Sequence, residues 1–116
     1  MKNEFIPYEQ ALELKELGFD EPCLAAYLKA GKFLDIGEYV NQGYYRTLAP
    51  LYEQAFRWFR ERHKLSSWVY NTHMDRYFYT ILQYGRIVKA NESVTTYEEA
   101  ELACLKKLIE LSTKTA

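Results

Sequence analysis

The stretch Ser66-Ser67-Trp68-Val69-Tyr70-Asn71-Thr72-His73-Met74-Asp75-Arg76-Tyr77-Phe78-Tyr79-Thr80-Ile81-Leu82-Gln83-Tyr84 decides the fold. Its two arms, Ser67 to Tyr70 and Arg76 to Leu82, are rich in aromatic and β-branched residues, which suit a pleated, half-buried surface. Asn71 to Asp75 reads as the turn between them, so the spacing predicts an antiparallel hairpin. Strands joined as hairpins need no βαβ crossover, and hairpins mixed with helices make an α+β protein. A lone two-stranded hairpin is marginal in water, so apolar helix stripes must cover one face of a small antiparallel sheet.

Three helices are legible around that hairpin. In the first, Pro7 to Leu17, proline suits the opening position, where its missing N–H would be unpaired anyway. Ala11, Leu14 and Leu17, with Leu12 alongside, share a side. Gly18 fits the left-handed residue after the last turn, and Phe19 can pack back on Leu14. The second helix, Pro50 to Lys64, carries Leu51, Tyr52, Ala55, Phe56, Trp58 and Phe59 as a broad apolar stripe, with Phe56 and Phe59 as core. The third begins at Thr95 or Thr96, each followed three residues later by a glutamate in the capping-box pattern. Its projection puts Tyr97, Ala100, Cys104, Leu108 and Leu111 on one side, flanked by Leu102, Leu105 and Ile109. Glu101 falls inside that arc and must be paired or at its wet margin.

Residues 20–36 admit two readings. Asp20-Glu21-Pro22 could cap a helix through Ala25 and Ala26, or Cys23 to Leu28 and Phe33 to Ile36 could be strands around a turn holding Gly31. Gly37 to Thr47 reads as an irregular surface loop. Gly85 to Val94 reads as a connector with a short strand at Arg86-Ile87-Val88.

With 116 residues the expectation is one domain over 1–116, with a polar tail that frays from about residue 112. Hydrophobic residues make up 48% and charged residues 27%, which excludes intrinsic disorder and collagen-like repeats. Fifteen Lys+Arg against sixteen Asp+Glu leave a net charge of −1, so no global field draws nucleic acid or anionic lipid. Tyr, Phe and Trp reach 16%, and so many amphipathic rings suit half-buried faces and interfaces. The start lacks the pattern of a signal peptide and no apolar run is long enough for a membrane helix, so the cytoplasm is the expected compartment. Two cysteines, Cys23 and Cys104, make neither a disulfide framework nor a zinc site and are expected as small buried thiols.

Three segments carry a resemblance: Leu14 to Cys23, Ala49 to Glu61 and Thr96 to Glu110. Together they cover roughly a third of the chain. It resembles a group of short proteins of unassigned activity from gut Bacteroides-type bacteria, their prophages and phages. The resemblance implies an intracellular, phage-linked accessory role and a strand-like stretch after Glu21-Pro22-Cys23, which favours the hairpin over the helix for residues 23–36. It supplies no catalytic residue and no cofactor.

The candidate chemistry is correspondingly thin. His63 stands at the end of the second helix, where the dipole favours a cation. His73 and Asp75 could act as base and orienter of a hydrolase, but Gly-x-Ser-x-Gly is absent and no nucleophile is signposted. No metal-ligand spacing, dinucleotide fingerprint or phosphate loop occurs, so no metal, cofactor or catalytic residue is assigned. Arg57, Arg60, Arg62 and Lys64, beside the hairpin aromatics, form a candidate nucleic-acid surface. The plainer account is a solvated helix face, and nucleic acid is not the expected partner. Phe78, Thr80, Leu82 and Tyr84 alternate with Tyr77, Tyr79, Ile81 and Gln83, so both hairpin faces carry large apolar groups. Trp68, Tyr70, Tyr77 and Tyr79 are therefore the candidate partner surface, for an unidentified protein or a second copy in a homodimer.

Overall fold

The first helix, α1 (Tyr8–Glu16), starts where the Pro7 ring holds φ at −64° with ψ at 158°, and the Pro7 carbonyl accepts the Ala11 N–H at 2.9 Å. Proline thus sits at the cap, one residue before its expected place. At the other end the Phe19 N–H donates to the Leu14 carbonyl at 2.9 Å and the Gly18 N–H to that of Lys15 at 3.1 Å. This double closure is a Schellman motif, and Gly18 at φ +99° supplies its left-handed residue. Gln10, Ala11 and Leu14 form the buried face; Gln10 is one that an apolar pattern misses.

The computed structural model describes residues 4–71, 75–90 and 94–115. His73, half of the candidate base-and-orienter pair, therefore lies outside the described residues. The chain forms two compact units, one ending at Gln54 and the other beginning at Ala55.

In the first unit, residues 23–36 are a hairpin. Strand β1 (Cys23–Leu28) pairs antiparallel with β2 (Phe33–Tyr39). On its other side β1 pairs with β3 (Arg46–Leu48), in register Ala26 with Leu48 and Leu28 with Arg46. The order is β2-β1-β3. The expected loop over 37–47 is corrected here: Gly37 to Tyr39 continue β2, and three residues from Arg46 complete the sheet. α1 packs on β3. Phe5, Ala25 and Ala49 are buried together, with Tyr27, Leu34 and Leu51 against them.

Helix α2 (Tyr52–Arg62) begins two residues later than Pro50, because Leu51 is held in a β-bridge with Phe5. Tyr52, Ala55, Trp58 and Phe59 are buried, whereas Phe56, expected in the core, is only half-buried. The second unit also holds β4 (Leu65–Asn71), β5 (Tyr77–Gln83) and β6 (Arg86–Ala90) in the order β4-β5-β6. The predicted hairpin is β4-β5. Its third strand, longer than the three residues expected, returns through Tyr84 and Gly85 at φ +52° and +79°, the handedness of a type I′ turn.

Helix α3 (Tyr97–Thr115) is capped at Thr96, whose Oγ1 accepts the Glu99 N–H at 3.1 Å and donates to Glu99 Oε1 at 3.0 Å. Hydroxyls of Thr95 and Thr96 hold the Glu99 carboxyl below its ordinary range. Ala100, Cys104, Leu105, Leu108, Ile109 and Ser112 form its buried side, and Glu101 lies half-buried at the margin. Where a frayed tail was expected, the helix continues through Thr115, helped by Thr113 Oγ1 donating to the Ile109 carbonyl at 2.7 Å. The protein is α+β, with two three-stranded antiparallel sheets and three helices.

Candidate functional site

The pleat of the β4-β5-β6 sheet sorts its aromatics into two sets. Register pairs Ser67 with Ile81, Val69 with Tyr79 and Asn71 with Tyr77, and paired residues share a face. This face meets α3: the Tyr77 ring is 6.0 Å from that of Tyr97 in edge contact, and the Ser67 hydroxyl lies against the Cys104 thiol. Tyr79 is 4% exposed; burial, then the Cys104 and Glu110 charges, push its hydroxyl above its ordinary pKa. Tyr79 is thus a core residue, and Tyr77 belongs to the helix-covered face.

Trp68 pairs with Thr80, Tyr70 with Phe78, Ser66 with Leu82, and Leu82 with Ile87 of β6, so these side chains share the opposite face. Trp68 is 44% exposed, Tyr70 39% and Ile87 67%. The Tyr70 and Phe78 rings stack at 5.6 Å and 16°, while the Tyr70 hydroxyl reaches Thr80 Oγ1 at 3.4 Å. The aromatic strip expected from sequence is therefore split. Trp68 and Tyr70 stay on an open face, joined by Phe78, Leu82 and Ile87, which composition alone did not single out.

The basic residues of α2 share their side of the helix with carboxylates. Arg57, Arg60, Arg62 and Lys64 are all exposed. Arg57 and Arg60 share a side with Glu53 and Glu61, and Arg57 Nε lies 4.0 Å from Glu61 Oε1. Lys64, at φ +59°, returns its ammonium to the Glu61 carbonyl at 3.0 Å. That side alternates in charge along its length. His63 is corrected too: its ring packs against Trp58 at 5.1 Å and Phe59 at 5.7 Å. Burial, then the Arg62 charge, lower its pKa, so the neutral ring is favoured and the helix dipole does not decide its charge. Asp75 is exposed, with φ at +54°.

Both cysteines are buried and free. Burial, then the Glu21 charge, push the Cys23 thiol up to about 12 against a hydrogen bond to Gln54. Burial also pushes Cys104 up to about 12, with Glu101 adding to the rise and Ser67 opposing it. Such thiols are poor nucleophiles, since the thiolate is the reactive form. Among the described residues no three His, Cys, Asp or Glu side chains converge as a metal site requires, and no helix is long and apolar enough to cross a membrane.

The first unit carries a cleft of about 590 Å³ that sequence reasoning missed. The Tyr8 ring forms one wall, seated so closely over Gly31 that an added Cβ would stand 2.4 Å from it. Tyr27 meets Tyr8 edge-on at 5.5 Å, and its hydroxyl donates to the Ile6 carbonyl at 2.7 Å. At the mouth stand Tyr44 and Tyr45, 90% and 85% exposed, in edge contact at 4.8 Å. Lys15 Nζ donates to the carbonyls of Gly43 at 2.8 Å and Arg46 at 3.0 Å, tying this mouth to α1. The Arg46 guanidinium donates to Asn41 O and Oδ1 at 3.0 and 2.7 Å. Lys29 and Ala30, at φ +53° and +56°, bring the β1-β2 turn to the rim.

Comparison with protein-family models, with curated proteins and with solved structures finds no match.

Proposed function

We propose that this protein is a small, non-catalytic binding protein that works through protein–protein contact, and that a second copy of the chain is the partner taken by the open face of β4-β5-β6. The observation that carries this is the face itself: Ser66, Trp68, Tyr70, Phe78, Leu82 and Ile87, set around the buried Thr80, include no charged group. Two copies can therefore meet without burying an unpaired charge, and a two-fold contact uses the same patch twice. With ~150–250 Å² for each whole aromatic side chain, the exposed part is on the order of 400 Å² per copy. That is roughly half of the ~800 Å² each partner gives a standard interface, so the contact is reversible and concentration-dependent. The cytoplasmic, phage-linked accessory setting belongs to this proposal and rests on the sequence resemblance. No catalytic residue and no cofactor is assigned.

Acrylamide quenching of tryptophan fluorescence tests the reading. Trp58, 3% exposed, is shielded, whereas Trp68 sits on the open face. Quenching should rise on dilution as the face uncovers, and Ile87→Glu should make it high at every concentration. Quenching that stays constant on dilution of the wild-type protein would count against the dimer.

A further inference from the structure

We propose that the cleft of the first unit binds an anionic ligand bearing an aromatic ring, the chemistry of a nucleotide, either free or as one residue of a single strand. This goes beyond the protein-binding reading and uses a different surface. Size comes first: about 590 Å³ lies inside the usual ~300–1,000 Å³ range of small-molecule sites.

Charge comes next. Among the described residues that line the cleft, Lys15, Lys29 and Arg46 are cations and none is a carboxylate. The hydrogen bonds of Lys15 and Arg46 go to uncharged carbonyl and amide oxygens, and the Arg46 guanidinium also lies over the Tyr39 ring at 5.5 Å, so neither is tied to a carboxylate by these contacts. The Lys29 ammonium has no partner among the described residues. A chain of net charge −1 thus gathers three cations around one concavity, in contrast to the mixed charges of α2. Such a site is tuned for an anion, and phosphate oxygens accept charge-assisted hydrogen bonds from lysine and arginine.

Ring chemistry then narrows the anion. Tyr8 and Tyr27 present aromatic walls, while Tyr44 and Tyr45 stand almost wholly in water at the mouth. Exposed tyrosines held edge to face leave ring surfaces on which a base can stack. The rim is also held in a costly shape. Lys29 and Ala30 occupy consecutive left-handed positions that L-residues seldom adopt, and strain of this kind clusters at ligand clamps. It places the unpaired Lys29 at the edge of the cleft.

The test is a titration of the isotopically labelled full chain, followed by amide NMR shifts, with four probes: adenosine 5′-monophosphate, adenosine, inorganic phosphate and an oligothymidylate single strand. Shifts should gather at residues 8–15, 27–31 and 43–47. The monophosphate should bind about tenfold or more tightly than adenosine or phosphate alone. A strand that outcompetes the monophosphate identifies a single-stranded source, and the reverse a free nucleotide; either sustains the site. Lys29→Ala should lower the slope of log affinity against log salt by about one. Tyr45→Ser should weaken the monophosphate while leaving phosphate unchanged, and Ile87→Glu should change neither. Absence of shifts with both monophosphate and strand, or adenosine binding as tightly as its monophosphate, would overturn the proposal.

Discussion

Replacing Phe59 with alanine should remove a large share of the protein's stability. The ring is fully buried, in edge contact with Trp58 at 5.0 Å and against His63 at 5.7 Å. Truncating a buried phenylalanine costs ~3–5 kcal/mol, through lost transfer energy and the cavity left behind. A domain is stable by only ~5–15 kcal/mol, so the loss is a large fraction of the total. With roughly 2.1 cal/mol/K of unfolding entropy per residue, a chain this long shifts by about 4 °C per kcal/mol, hence about 12–20 °C. Arg60, the next residue, is exposed, and Arg60→Ala should stay within about 0.5 kcal/mol, or ~2 °C. Thermal unfolding followed by circular dichroism compares the two variants. NMR titration of His63 adds a second readout, because its pKa should climb toward 6.5 once the burial that lowers it is relieved. Similar melting temperatures for Phe59→Ala and Arg60→Ala would refute the assigned face of α2.

Two further predictions follow from strain and burial. Ala30→Gly should stabilise the protein by about 0.5–1 kcal/mol in urea titration, since the left-handed penalty of ~1–2 kcal/mol outweighs the added freedom of the unfolded chain; a destabilised variant would mean that this turn is not strained. The Cys23 and Cys104 thiols keep their protons in the fold up to about 12, above their ordinary 9.0, so the stability they contribute is present below pH 9 and is lost as pH rises from 9 toward 12. Each contributes a slope of about 1.4 kcal/mol per pH unit in that window. Cys104→Ala should flatten the decline in a pH series of urea midpoints, and an unchanged slope would contradict it.

Signals that act within a few residues were legible in the sequence, and long-range ones were not. Gly18 after Leu17, Thr96 before Glu99 and the β-rich arms around Asn71 each announced a local geometry that the fold adopts. The three-residue β3 carries no alternation of its own; it is a strand because β1 has a free edge at Ala26 to Leu28. Tyr84-Gly85 lacks the asparagine or aspartate that usually marks a type I′ turn, which hid the length of β6. Along β5 the alternation of Phe78, Thr80 and Leu82 with Tyr77, Tyr79 and Ile81 is legible, whereas grouping Trp68 and Tyr70 with Tyr77 and Tyr79 mixes the two faces, because cross-strand register is a long-range property. Which set α3 covers depends on tertiary packing, and this packing puts Tyr79 in the core and not on the partner surface that the sequence predicts. The cleft was invisible for the same reason: Tyr8, Lys29 and Tyr45 are far apart in sequence and meet only when α1, the β1-β2 turn and the approach to β3 come together.

Sedimentation equilibrium across micromolar concentrations tests the central claim, that the uncharged open face of β4-β5-β6 binds a second copy. The wild-type mass should climb from 13.8 kDa toward twice that value as concentration rises, while Ile87→Glu stays at 13.8 kDa with an unchanged melting temperature. A wild-type mass that holds at 13.8 kDa at every concentration would contradict it.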